Sequence, residues 1–532
     1  MASPNAGILR NTPARSVSLD ACHRPPFRYS FRVDYDASLR WLLTLPDFER
    51  TGDFASRPDV APMLALLSEL GKPHRGRPTV HIAGSKGKGS TGAMIEGVLG
   101  AAGMRVGYYI SPHLHRYNER IRVAGKAIDG DGFAAAITRV REAIDVVAPR
   151  FSGRQFLAFD ALTAAGFVGF RDAGVDVQIV EVGLGGLLDS TNVFGRSSVV
   201  GLRSSGEGEA EARVEATQGE RAPHPPAPSP RGGEGELAGH VVVLTPISLE
   251  HTAILGDTIA AIAAQKAGII IDGATVVVAP QRESALDVFR AVASEREATL
   301  IEVAQVCQMT RMTATAEGQR FKLRTPRATY DAELPLAGRH QLDNAATAIV
   351  ACEALALACG IELAAAHVSA GLANVVWPGR LEVLRHKPLV IVDGAHNGDS
   401  AKRMISALRE YFGLSQVTLL FGTLAGKDIA SMADAVAPIA REVFVTSWPN
   451  ARAADPRDIA SALRPHDVPV SMFGDLGQAY EAAVTQAGER GAVVVFGSIA
   501  FVAAVREYVL GIAPDSMRLA SSRPGSAPDD RA

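Results

Sequence analysis

Residues 84–90 read Gly-Ser-Lys-Gly-Lys-Gly-Ser, a stretch whose residue types suit a charged ligand better than a core. Glycines let backbone N–H groups close around phosphate oxygens, Lys88 can meet β- and γ-phosphates, and the Ser90 hydroxyl can hold Mg2+. Gly84, Ser85, Lys86, Gly87, Lys88, Gly89 and Ser90 are therefore candidate ATP contacts. The spacing departs from the common GxxxxGK[ST] loop, because Ile82 stands where the first glycine belongs and Gly89 separates Lys88 from Ser90. A flexible basic turn is the competing local reading. The flanks oppose it: the β-branched run Thr79–Ala83 precedes the loop, and an Ala/Met/Leu helical pattern follows.

Other candidates carry weaker local signals. Glu181 closes the apolar run from Val175 to Val180, where a carboxylate can face the phosphate loop and offer Mg2+ a hard oxygen ligand. It could equally cap the next turn. His251 and Lys266 flank a helix-bearing segment, and in isolation each fits a structural or solvent-facing role.

The elements that must position these residues alternate strand, polar turn and helix. Strands are expected at Thr79–Ala83, Arg105–Ile110, Val175–Val180, near Val199 and at Val241–Leu244, with helices at Thr258–Ala267 and Leu342–Leu357. A second series follows at Leu389–Val392, Gln416–Phe421, Glu442–Val445 and Ala492–Phe496. Such alternation predicts α/β layering with ligands at the carboxyl ends of the strands. A chain of 532 residues exceeds one core and suits two domains. The segment 203–239 is rich in Pro, Gly, Ser and Glu and reads as a flexible surface insertion rather than a binding arm, since it lacks an aromatic anchor. The boundaries expected are a weakly ordered extension at 1–30, an ATP-binding domain at 31–376, a Rossmann-like domain at 377–513 and a disordered tail at 514–532.

A net charge of −3 gives no reason to expect nucleic acid or an anionic membrane as partner. Cys22, Cys307, Cys352 and Cys359 form no CxxC pair, which fits a reducing compartment and opposes a disulfide scaffold or zinc site. The first residues lack an apolar leader, and no later segment reads as an uninterrupted membrane span, so a cytoplasmic location is expected.

The order of motifs resembles the folylpolyglutamate synthase / dihydrofolate synthase family, relatives of the Mur ligases. GSKGKGS is similar to that family's GTNGKGS. Ser111-Pro112-His113-Leu114, followed by Glu119-Arg120-Ile121, resembles SPHL…ERI, and the run from Glu181 to Asn192 resembles EVGLGGRxDATN. Further matches are Glu250-His251, Lys266-Ala267-Gly268-Ile269, Gly338-Arg339-His340-Gln341 with Asn344, Trp377-Pro378-Gly379-Arg380, Asp393-Gly394-Ala395-His396-Asn397 and Phe496-Gly497-Ser498. They span about residues 32 to 510, interrupted by the insertion.

The resemblance implies a Mur-ligase-like P-loop ATPase domain followed by a Rossmann-like domain. It implies ATP and Mg2+ as cofactors, L-glutamate and a folate or dihydropteroate as substrates, and a monomer. Lys88, Glu181, His251 and Lys266 would be catalytic. Ser90, Glu181, His251 and a carbamylated Lys266 would serve the metal. Asn344, Arg380 and Asp393 would join the loop in contacting ATP. Ser111, Pro112, His113, Phe156, Asp160, His396 and Ser498 would contact the other substrates. The sequence departs from the pattern at Lys86 (for Asn), Leu187 (for Arg) and Glu250 (for Asp). Two rival readings are a related amide ligase acting on a cell-wall precursor and an ATP-binding regulatory protein without catalysis.

Overall fold

The computed structural model describes residues 34–48, 59–151, 153–195 and 239–515. The expected extension at 1–30, the strand near Val199, and the insertion up to residue 238 lie outside the described residues. Gly239, the last residue of that expected insertion, is part of the fold: its carbonyl accepts the Thr79 amide at 3.0 Å.

Seventeen strands are described, in three sheets. The first sheet contains β1 (Thr79–Ala83), β2 (Val106–Tyr109), β3 (Ile121–Val123), β4 (Lys126–Ala127), β5 (Val177–Glu181), β6 (His240–Leu244), β7 (Thr275–Val278) and β8 (Thr299–Glu302). Their order is β4-β3-β2-β5-β1-β6-β7-β8, parallel except for the antiparallel edge pair β3 and β4. Every residue of β1, β5 and β6 is buried. That burial explains why these strands read as continuous β-branched runs instead of alternating ones. The chain order switches sides around β1, whose neighbours are β5 and β6. Such a switch opens a crevice at the carboxyl ends, where a ligand can enter.

A small antiparallel sheet of β9 (Gln308–Thr315), β10 (Gly318–Arg324) and β11 (Thr329–Leu334) follows. Its alternating burial sends Phe321, Leu323 and Tyr330 into the core beneath the Lys88–Ala101 and His340–Cys359 helices. The latter helix is apolar enough to cross a membrane, but 72% of its apolar stretch is buried in this protein core.

The third sheet has β12 (Glu382–His386), β13 (Leu389–Val392), β14 (Val417–Phe421), β15 (Ala440–Thr446), β16 (Val470–Phe473) and β17 (Ala492–Phe496), ordered β12-β13-β17-β14-β15-β16. Only β12 runs antiparallel. Helices cover both faces, with separate apolar clusters on each side of the sheet. Asp515, within the tail expected at 514–532, is buried and hydrogen-bonded, and the rest of that expected tail lies outside the described residues.

Candidate active site

The phosphate loop leaves the carboxyl end of β1 and turns into the Lys88–Ala101 helix. Gly84 has φ 153°, and a Cβ there would lie 1.8 Å from Thr245 Oγ1, so a side chain would collide with the segment following β6. Gly87 adopts φ 87° as the helix N-cap, a left-handed conformation that glycine reaches without a Cβ penalty. The Ser85 and Lys86 amides both donate to Pro246 O, at 3.0 and 3.1 Å, which pins the loop to the neighbouring strand's exit. Lys88 Nζ folds back to donate to Gly84 O at 3.0 Å. The result is a helix N-terminus and two lysines gathered where an anion would sit.

Buried charge surrounds that loop. Glu181 ends β5, and burial pushes its carboxyl up to about 7, against the opposing pull of Lys88. Tyr108 Oη lies 3.4 Å from Glu181 Oε2 and 3.2 Å from Gly89 O, so its single proton serves two acceptors. Lys266, at the end of the Ile259–Ala267 helix, donates to Gly84 O at 3.1 Å and to Glu250 Oε1 at 3.2 Å. Burial lowers the Lys266 amine to about 8 despite Glu250. Burial alone would raise the Glu250 carboxyl, but Lys266, Lys88 and Lys86 outweigh it and leave its pKa lowered. His251 has φ 48°, in the left-handed region that residues other than glycine enter uncommonly.

The third sheet supplies the opposite wall. Asp393 follows β13 and accepts the Leu381 amide at 3.0 Å and the Ala395 amide at 2.9 Å, tying two turns together. Arg380 donates to Gly379 O at 3.0 Å. His396 Nδ1 lies 2.9 Å from Gly394 O, and Nε2 lies 3.1 Å from Lys86 Nζ. A carbonyl can only accept, so Nδ1 carries the proton and the neutral ring accepts from Lys86 through Nε2. Burial favours that form, holding His396 down at about 3. Lys86 thus bridges the phosphate loop to the third sheet.

Between these walls lies a cleft of about 1550 Å³. That exceeds the roughly 300–1,000 Å³ usual for one small-molecule pocket and leaves room for more than a nucleotide. Of the residues singled out from sequence, Ser85 to Ser90, Ser111, Pro112, His113, Glu181, His251, Asn344, Arg380, Asp393 and His396 line it. Gly84 and Lys266 do not line it; the Lys266 amine reaches Gly84 O instead. Phe156 packs in a core cluster. Asp160 caps its helix through the Leu157 amide at 2.9 Å and accepts Ser190 Oγ at 2.7 Å. Ser498 caps the Ile499–Leu510 helix through the Phe501 amide at 3.1 Å. Sequence reasoning did not select Tyr117, Arg120, Asn450, Arg452 or Asp515, which also line the cleft. Trp377, matched in sequence but given no role, stacks on Tyr108 at 6.2 Å and presses on Gly89, where a Cβ would meet its ring at 2.5 Å.

The donor set fits Mg2+. Among the described residues no group of three or more His, Cys, Asp or Glu suits a metal ion. The buried Glu181 carboxylate and Ser90 hydroxyl offer hard oxygens, which suit an ion whose remaining ligands are phosphate oxygens and water.

Comparison with known proteins places this geometry. Residues 230–352 match the Mur ligase middle domain, and residues 379–499 match the Mur ligase glutamate ligase domain. The folylpolyglutamate synthase of Lacticaseibacillus casei is 30% identical over 480 residues, covering 90% of this chain and 99% of the relative. The chain belongs to the folylpolyglutamate synthase / dihydrofolate synthase family of Mur ligases. Another member, the dihydrofolate synthase/folylpolyglutamate synthase of Mycobacterium tuberculosis (strain ATCC 25618 / H37Rv), is 31% identical over 419 residues, covering 76% of this chain and 77% of the relative. The Mycobacterium tuberculosis folylpolyglutamate synthase solved with ADP and AMPPCP superposes with a TM-score of 0.75 at 29% identity, covering 91% of this chain and all of that one. The chain's departures from the family pattern now have places. Lys86 makes the bridge to His396, and Glu250 pairs with Lys266. Leu187 packs against Gly268, where a Cβ would meet Leu187 Cα at 2.6 Å.

Proposed function

We propose that this chain joins L-glutamate to a folate by ATP-dependent amide ligation through an acyl phosphate. The observation that carries the reading is a single cleft walled by the phosphate loop and Glu181 on one side and by Arg380, Asp393 and His396 on the other. Phosphoryl transfer asks mainly for position and charge, and the cleft offers both. In the first step a carboxylate oxygen of the folate attacks the γ-phosphorus of ATP, and the bond to ADP breaks. Lys88 and the amides of the helix N-terminus draw the transferred charge. In the second step the glutamate nitrogen attacks the acyl carbon, loses a proton and expels phosphate, leaving an amide.

Ser90, Glu181 and His251, with the carbamylated Lys266, would hold Mg2+, which would neutralise phosphate charge. Lys266 is read as carbamylated in the working enzyme: the ammonium gives up one proton to free its lone pair, the nitrogen bonds to the carbon of CO2 and then gives up a second proton, turning a buried cation into an anion. The resemblance to the family motif carries that assignment, and the position of Lys266 beneath the loop supports it. Asn344, Arg380 and Asp393 are assigned to ATP, and His396 and Ser498 to glutamate. Ser111, Pro112, His113, Phe156 and Asp160 are assigned to the folate side, Phe156 and Asp160 acting from behind the lining. The domain division at 376/377 falls between the matched middle and ligase regions. We read the working form as a cytoplasmic monomer acting on small molecules, without nucleic acid or membrane.

The test is purified protein with Mg-ATP and glutamate, given dihydropteroate or tetrahydrofolate separately and read by product mass. Glutamate-dependent phosphate release with one added glutamate on either acceptor is expected. Release without any glutamylated product would overturn the reading.

A further inference from the structure

The wall formed by residues 111–120 is held from a distant part of the chain. Asp515 is only 4% exposed, and its carboxylate accepts Tyr35 Oη at 2.8 Å, the Tyr117 amide at 2.9 Å and Arg116 Nε at 3.3 Å. All three partners are donors, and the Arg116 guanidinium lies 4.7 Å above the Tyr35 ring. From Tyr117 the packing passes to His113, with ring centroids 4.2 Å apart, and Arg120 Nε lies 2.9 Å from His113 Nδ1. The preceding helix makes a second tie to the same loop, with Glu507 Oε1 2.9 Å from His115 Nδ1. That helix starts beside the cleft at Ile499. One wall, built on the first sheet, is therefore fastened to the last helix of the third.

We propose that Asp515 is a positioning residue for the folate-side substrate, clamping the 111–120 loop in its binding shape from the segment that follows the Ile499–Leu510 helix. The inference rests on the proposed ligase reading, because it needs an acceptor to bind against that loop. A carboxylate is required by the chemistry of the site. An amide at 515 would present one NH2 group to an environment made of donors, leaving polar hydrogens opposed. ATP binds through the phosphate loop, which Asp515 does not touch, so the defect belongs to the acceptor alone.

The experiment measures KM for acceptor, ATP and glutamate in the full chain and in Asp515→Asn, Asp515→Ala and Tyr35→Phe, with hydrogen exchange of the 111–120 segment. Loss of a charged hydrogen-bond acceptor should raise the acceptor KM about tenfold in Asp515→Asn and more in Asp515→Ala. The ATP and glutamate KM should stay within about twofold, and Tyr35→Phe should give a smaller acceptor effect in the same direction. Faster exchange at the Tyr117 amide should accompany both Asp515 variants. Unchanged acceptor KM, or losses spread evenly over all three substrates, would overturn the clamp. If the parent enzyme glutamylates no folate acceptor, the ligase reading fails instead. Exchange at Tyr117 then decides alone whether Asp515 holds the loop: acceleration supports it and no change overturns it.

Discussion

The two ends of the first sheet both gather polar groups, with neighbours of opposite kind. At the carboxyl ends of β1, β5 and β6, charged groups are packed against backbone and against one another: Lys88 and Lys266 both on Gly84 O, Lys266 on Glu250. At the amino ends, His74, His81 and His240 surround Phe194, with ring separations of 6.0, 5.4 and 5.1 Å. Burial keeps those imidazoles neutral: His74 is pushed down to about 3, His240 to about 4, and His81 well below its usual range. His74 Nδ1, His81 Nδ1 and His240 Nε2 are buried and have no hydrogen-bond partner among the described residues. One end gathers charged groups around the loop, and the other holds neutral rings packed in the core. Burial alone therefore does not distinguish the two ends; the charge of the neighbours does.

That contrast breaks most sharply at Lys88. Lys88→Ala should lower turnover by at least about a thousandfold, since it removes a charge from the transferred phosphoryl group. Its melting temperature should stay close to the parent's. A variant that loses stability and keeps turnover would exchange the roles of the two ends.

Lys266→Ala should be nearly as inactive, with partial recovery on adding a small carboxylate that replaces the carbamate's oxygens. Removing this amine also leaves Glu250 without its ion-pair partner, so some loss of stability is expected. Turnover with and without added acetate is the measurement. Normal turnover by the unrescued variant would end the carbamate assignment.

The amino-terminal end is probed by pH. An imidazole whose folded pKa lies below its unfolded value of about 6.5 is neutral in the native state, while the unfolded chain takes up the proton. Stability from this source is complete above about pH 6.5 and declines as pH falls, by about 1.4 kcal/mol per pH unit for each such group. Urea midpoints between pH 7 and 5 should fall steeply in the parent and less steeply in His240→Phe. The comparison must be a difference from the parent, because His340 and His396 beside the cleft are also held down by burial. Equal slopes would remove His240 from the acid-sensitive set.

The smallest effect is expected from replacing 203–238 with a short Gly/Ser linker, since loop-closure entropy changes slowly with length. This segment enters the described fold at the histidine end, next to Gly239 and His240. Gly239 should be kept, because a Cβ there would lie 2.5 Å from Cys359 Sγ. Turnover within about twofold of the parent and an unchanged melting curve are the expected results. A large loss of turnover in the folded replacement would tie the segment to catalysis.

Sequence alone determined what contiguous residues can specify. Thr79–Ala83, Leu389–Val392 and Ala492–Phe496 coincide with β1, β13 and β17, because buried parallel strands are short unbroken apolar runs bounded by Gly, Pro or a charge. The loop at 84–90 was legible because its glycines, lysines and serine stand together in seven consecutive residues. The edge strands β3 and β4 escaped notice, since three and two residues carry too little periodicity to register.

Tertiary structure decided everything that depends on which distant residues meet. It paired Lys266 with Glu250, set Trp377 over Gly89, and carried Lys86 to His396 across the cleft. It also turned Asp515, in a stretch whose composition reads as a tail, into a buried acceptor for Tyr35 and Tyr117, 480 and 398 residues away in sequence. A single carboxylate has no pattern of its own along the chain. Its role arises from desolvation and from donors that only the packing of the C-terminal helix brings within reach.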